Sequence, residues 1–144
     1  MGKIKFWEDR DKGIVHIKLL SETAEEFARL IAKDNNMSRK TNKRTQIRKF
    51  YDEVAHLNME AVKSDKKADK KSDGPDKEWN AILVLVNMLV AKAAYARGRD
   101  LVSDNFLSFI RDSVADTIER KDLKVFASFF EAFMGFYRLH GPKS

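Results

Sequence analysis

Residues 78–97 read EWNAILVLVNMLVAKAAYAR, and the reading of this stretch decides the fold class. Taken alone, its ILVLV core suits a buried strand as well as a helix, because a short apolar run has no period that separates the two. Its length favours a helix, since strands most often run only about 5–6 residues. The run is apolar nearly all the way round, as expected for the central helix of a bundle. Trp79 to Ala96 is the membrane-like part of the chain, but Asn80, Asn87 and Lys92 sit inside it. A membrane span asks for about 18 or more apolar residues with few or no charges. The sequence therefore predicts a buried helix and no membrane. Gly98 is expected to stop it by adopting a left-handed conformation, with Arg97 and Arg99 at the carboxyl end, where the helix dipole favours cations.

Working outward, Ser103 or Asp104 is expected to cap a fourth helix reaching about Glu119, with Phe106, Leu107, Ile110, Val114 and Ile118 as its buried edge. Asp122 is expected to open a fifth, ended by Gly141-Pro142, in which Leu123, Phe126, Phe129, Phe130, Phe133, Met134, Tyr137 and His140 fall on about half of the wheel. Such a stripe reads as core, because aromatics that stack on bases must stay exposed. Upstream, Thr41 to Val62 has Ile47, Phe50, Tyr51, Val54, Leu57, Asn58 and Ala61 at three-and-four spacing and predicts a second helix. Between these helices, KSDKKADKKSDGPDK (63–77) holds no large apolar residue and reads as a flexible, solvated linker. Ser21 is expected to cap a first helix that carries Ala24, Phe27, Ala28 and Ile31 on one side and ends near Asn35-Asn36. Before it, a loose alternation around Asp11-Lys12-Gly13 fits a short hairpin or an extended arm. The reading is all-α: one domain over 1–144, a compact bundle of about five helices. A flexible loop joins its second and third main helices, and the amino-terminal segment 1–35 has no assigned role.

Bulk composition narrows the function. With 43% apolar and 35% charged residues, the chain is charge-rich and globular rather than disordered. It has no cysteine, which excludes disulfide scaffolds, thiolate metal sites and cysteine nucleophiles. The opening MGKIKFWEDRDKG lacks the unbroken apolar run of a signal peptide, because Lys5, Glu8, Asp9 and Arg10 interrupt it, so a cytoplasmic location is expected. No glycine-rich phosphate loop or nucleophile elbow is present. Glu53-Val54-Ala55-His56 matches half of a di-iron motif, but a second copy is missing; an ion pair of His56 with Glu60, one turn on, is the plainer account. No catalytic residue, metal or cofactor is expected.

The positive charge is concentrated. Met37 to Tyr51 (MSRKTNKRTQIRKFY) holds Arg39, Lys40, Lys43, Arg44, Arg48 and Lys49 without an acidic residue, six cations equal to the chain's whole excess of +6. Such a run attracts a polyanion, and phosphate backbones are its commonest partner. On the predicted helix Arg48 and Lys49 flank the solvent side, where a nucleic acid could lie across them and Lys43-Arg44. The carboxyl-terminal helices are close to neutral, leaving a face free for proteins. There Ser128, Ala132 and Gly135 line the side opposite the aromatic stripe, and their small side chains would let another subunit approach. A general DNA-binding helical protein and a helical protein–protein adaptor remain the alternatives.

Three blocks sharpen this reading: Thr45-Gln46-Ile47-Arg48-Lys49-Phe50-Tyr51, then Ala94-Tyr95-Ala96-Arg97-Gly98-Arg99-Asp100, then Phe130-Glu131-Ala132-Phe133-Met134-Gly135-Phe136-Tyr137. In order and spacing they resemble the small subunit of the type III-A (Csm) CRISPR effector complex, over about residues 41–141. Lys43 and Arg44 stand where that family usually has hydroxyl residues. The resemblance implies an all-α, non-catalytic subunit stacked in several copies beside the subunits that hold the guide. Its partners would be guide RNA, target RNA, other subunits of the complex and further copies of itself. On this reading Lys43, Arg44, Arg48, Lys49, Arg97 and Arg99 contact RNA phosphates, and Ser128, Ala132 and Gly135 form the subunit interface.

Overall fold

The computed structural model describes residues 4–67 and 76–143. Its elements are a hairpin of β1 (Trp7–Asp9) and β2 (Ile14–Val15), a single π-helical turn at Leu19–Thr23, and the helices α1 (Ala24–Met37), α2 (Arg44–Lys67), α3 (Lys77–Gly98), α4 (Asp104–Ala115) and α5 (Arg120–His140). The hairpin alternative is thus the one realised. It turns through Gly13, whose φ of +70° suits a residue without a Cβ. Ser21 lies in the π-turn instead of capping α1.

The centre of the bundle is α5. It packs against α1, α2 and the π-turn, and Phe126, Phe129, Phe130, Phe133 and Tyr137 are all 0% exposed. Phe109 of α4 sits among these rings, with centroids 4.9 Å from Phe133, 5.2 Å from Phe130 and 5.4 Å from Phe129. Phe27 of α1 closes the same cluster at 5.6 Å. The aromatic stripe is core, as its periodicity predicts.

The expectation of a central, buried helix at residues 78–97 is corrected. α3 lies at the edge of the bundle, packed on α2 and α4 through Trp79, Ile82, Val86, Leu89, Ala93 and Ala96. Its other face is open: Val84 is 66% exposed, Leu85 47%, Met88 48% and Tyr95 68%. A helix that is apolar all round gives no periodic sign of which face is covered, and here two neighbours cover one side. Gly98 stays helical, and the left-handed residue after α3 is Asp100, at φ 60°.

Two further boundaries move for local reasons. α4 ends at Ala115, not near Glu119, and Ile118 is 59% exposed instead of lying on the buried edge. There the Asp122 carboxylate accepts from the backbone N–H groups of Ile118 (2.9 Å) and Glu119 (2.7 Å), which turns the chain into α5. α5 accordingly begins at Arg120, with Glu119 and Asp122 forming a reciprocal capping box. α2 runs past Val62 to Lys67, and Asp76 caps α3 by accepting from Trp79 N at 3.1 Å. Of the segment read as a linker, residues 68–75 lie outside the described ones.

The amino-terminal segment is part of the core. Phe6 is 0% exposed and packs on Phe126 and Phe129, while its N–H donates to Asp116 at 2.7 Å. Arg10 reaches the buried Asp122 through two guanidinium nitrogens, and the Trp7 indole N–H donates to the same carboxylate at 2.7 Å. The hairpin therefore clamps the start of α5.

Candidate nucleic-acid interface

The entry to α2 is set by Asn42. It holds a left-handed φ of 61°, which asparagine tolerates better than most residues, and is fully buried. Its amide nitrogen donates to Ile31 O (3.2 Å) and Ser103 Oγ (2.9 Å), and its side-chain oxygen accepts from Ser103 N (2.9 Å). The buried Tyr137 hydroxyl donates to the Asn42 carbonyl, and burial raises the pKa of that phenol, so it stays protonated as a donor. These bonds tie α1, the α3–α4 corner and α5 to one residue. They also stop α2 from beginning at Thr41: the helix starts at Arg44, after a break inside the basic run.

From this anchor the predicted phosphate contacts diverge. Lys43 is exposed. Arg44 donates to the carbonyl of Lys143. Arg48 stands on the outer face of α2, 3.8 Å from Asp52 in a one-turn ion pair. Lys49 faces α3. Arg99 lies over the ring of Tyr95, 5.8 Å from its centroid. Arg97 bonds Asp104 at 2.6 Å and Asp100 at 3.2 Å, so its charge is balanced within the chain.

Lys49 and Arg99 come together in an open groove of about 320 Å³ between α2 and α3, lined also by Gln46, Glu53, Lys92 and Tyr95. Lys92 is paired with Glu53, so three cations against one carboxylate leave the groove with an excess of two positive charges. Arg97 instead lines a separate recess of about 510 Å³ that also holds Asp34, Asp100 and Asp104. Sequence reading passed over Lys92, Tyr95 and Gln46 as groove residues. A signal was present: Lys92, Tyr95 and Arg99 are spaced by three and four positions, which places them along one side of a helix end.

The half di-iron motif holds no ligand cluster. Glu53 pairs with Lys92, Glu60 lies 3.9 Å from Lys63 rather than on His56, and His56 is exposed. Among the described residues no group of three potential metal ligands forms. On the far side, Ser128 and Ala132 of α5 are half-buried and Gly135 is exposed, with nothing within 4 Å of where its Cβ would stand. Leu139, one turn beyond, is 72% exposed.

A family model described as Csm2, type III-A, matches residues 15–143. This chain belongs to the Csm2 family. Csm2 is the small, structural subunit of the type III-A Csm complex, a CRISPR assembly, and membership implies association with other Csm subunits. The Csm2 match spans all five helices and the α2–α3 groove, and it begins at Val15, after Phe6, Trp7 and Arg10. No curated protein and no solved structure matches the chain.

Proposed function

We propose that this Csm2 chain is a non-catalytic, RNA-binding structural subunit that stacks in several copies along the guide RNA–target RNA duplex of a type III-A interference complex. The observation that carries this reading is the α2–α3 groove. Lys49 and Arg99 come from opposite sides of the long linker, yet they meet there with Lys92 beside the exposed ring of Tyr95. Phosphate contacts made by lysine and arginine on rigid helices hold the backbone and carry no base information. That suits a subunit following a duplex whose sequence is read by guide pairing. Lys43, Arg44 and Arg48 extend the positive surface along α2. Arg97, already balanced by Asp100 and Asp104, contributes mainly to the α3–α4 corner.

Each copy binds weakly on a patch of this size, and copies linked along one strand gain through effective concentration. A head-to-tail contact repeats without closing, so a filament follows from one heterologous interface. We assign the α5 face of Ser128, Ala132 and Gly135 to that contact. Gly135→Trp fills the open space there and is expected to abolish incorporation of more than one copy, with far-UV circular dichroism unchanged. Normal stoichiometry of the purified complex would remove this face from the reading.

The phosphate site is tested by fluorescence anisotropy with single-stranded RNA of about 40 nucleotides and matched duplex DNA across a salt series. Lys49→Glu/Arg99→Glu is expected to weaken RNA binding about a hundredfold and to lower the salt slope by about 1.4, or about 0.7 for each of two lost contacts. Unchanged RNA affinity would overturn the groove as the site. Preference for duplex DNA would support the DNA-binding alternative. Wild-type indifference to both nucleic acids, with assembly intact, would support the protein adaptor.

A further inference from the structure

We propose that the α2–α3 groove holds one unpaired RNA nucleotide, with its base stacked on Tyr95, its edge at Gln46 and its phosphate between Lys49 and Arg99. The inference rests on the reading of this groove as the RNA site and adds what Tyr95 and Gln46 contribute to it. Phosphates need cations, and Lys49, Lys92 and Arg99 supply them. An aromatic ring adds nothing to that contact. Of the chain's three tyrosines, Tyr137 is fully buried with its hydroxyl bonded to Asn42, and Tyr51 is half-buried against Phe130, 5.6 Å between centroids. Tyr95 is 68% exposed at the groove, as a ring that stacks on bases must be.

The dimensions identify the occupant. Gln46, Lys49 and Glu53 lie along α2, and Lys92, Tyr95 and Arg99 along α3, each row about two helical turns in length. The ion pair of Lys92 with Glu53 crosses the groove and closes one end, which leaves Lys49 and Arg99 as the cations for a phosphate. Phe50 and Leu101 add apolar lining. The volume, about 320 Å³, is near the lower end of small-ligand sites, which run from roughly 300 to 1,000 Å³. Such a space admits a single nucleotide, whereas a duplex lies across its mouth.

The chemistry of the walls fits the parts of a nucleotide. The Arg99 guanidinium lies over one face of the Tyr95 ring, 5.8 Å from its centroid, and a base takes the other face. A guanidinium stacks on a ring and donates to a phosphate at once, so Arg99 links the two halves of the site. Gln46 is half-buried at the groove wall, and its amide offers a carbonyl acceptor and two N–H donors to a base edge. Neither ring nor amide reaches a paired base. In an A-form duplex the base faces are stacked and the major groove is too deep and narrow for side chains, so both groups select a nucleotide that has left its pair. Stacking tolerates any base, because each has a π-face.

The test uses the full chain and RNA duplexes that differ at a single position: fully paired, carrying a bulged adenosine, or carrying an abasic bulge that keeps the phosphate. In fluorescence anisotropy the wild type is expected to bind the adenosine bulge about tenfold more tightly than either of the others. Tyr95→Ala changes an exposed position and is expected to leave far-UV circular dichroism unchanged while erasing that preference. Its salt slope, which counts phosphate contacts, should match the wild type. Tyr95→Phe keeps the ring and should keep the preference, and Gln46→Ala should lower it about threefold. Equal binding of the wild type to the adenosine and abasic bulges, or a preference that survives Tyr95→Ala, would overturn the base site. The phosphate site then still stands if Lys49→Glu/Arg99→Glu lowers the salt slope, whereas a slope unchanged in that variant would overturn both.

Discussion

Phe109→Ala is expected to destabilise the protein by about 4 kcal/mol, within the range for removing a fully buried phenylalanine. The magnitude follows from its surroundings. Its ring is 0% exposed and lies within 6 Å of five others, those of Phe27, Phe106, Phe129, Phe130 and Phe133. Those neighbours come from α1, α4 itself and α5, so a cavity there has walls on separate elements that cannot all move inward together. For a chain of this size the loss lowers the melting temperature by roughly 13 °C. Phe109→Leu, which keeps most of the volume, should cost less than half as much. Urea and thermal unfolding followed by far-UV circular dichroism check both. A loss under about 1 kcal/mol would mean that the cluster collapses onto the cavity, contrary to the rigidity inferred from its interlocked rings.

Asp122→Ala is expected to cost about 3 kcal/mol, the low end of the range for breaking a buried pair, because Arg10 is still 31% exposed and can hydrate once released. The side chain of Asp122 is 0% exposed. It accepts from the Arg10 guanidinium, the Trp7 indole and the N–H groups of Ile118 and Glu119, and its removal strands donors that were desolvated to reach it. Burial by itself pushes the carboxyl upward. The Arg10, backbone and indole hydrogen bonds outweigh it and hold Asp122 below the usual carboxylate range. A depressed folded-state pKa means that the contribution is fully present above the unfolded value of about 3.9 and is lost as pH falls through the folded value. Wild type should therefore lose urea resistance below about pH 4, while Asp122→Asn starts lower and shows a flatter profile there. The hairpin should also become sensitive to trypsin at Arg10 and Lys12 in Asp122→Ala. Hairpin protection and a wild-type acid profile in that variant would show that the clamp is held by Phe6 alone.

Much of the architecture is legible in the chain because it depends on local repetition. The three-and-four spacing of Ile47, Phe50, Val54, Leu57 and Ala61, and of Phe126, Phe130, Phe133 and Tyr137, names both the helices and their buried faces. The basic run and the three sequence blocks likewise lead to the small-subunit family without any tertiary information, and the family match bears that resemblance out.

What tertiary structure alone decided is which surfaces meet. Residues 78–97 are apolar on every side, so their pattern holds no record that α2 and α4 cover one face and leave Val84 and Met88 in solvent. Asn42 reads as one more polar residue in a basic run, but it is buried by partners on α1, α5 and the α3–α4 corner. Arg97 and Arg99 are indistinguishable on either side of Gly98, yet one turns to Asp104 and the other to the groove with Lys49. A helix follows from residues within one or two turns of each other. Burial, charge balance and a shared groove follow from groups brought together across the fold, and the sequence alone does not contain that distance.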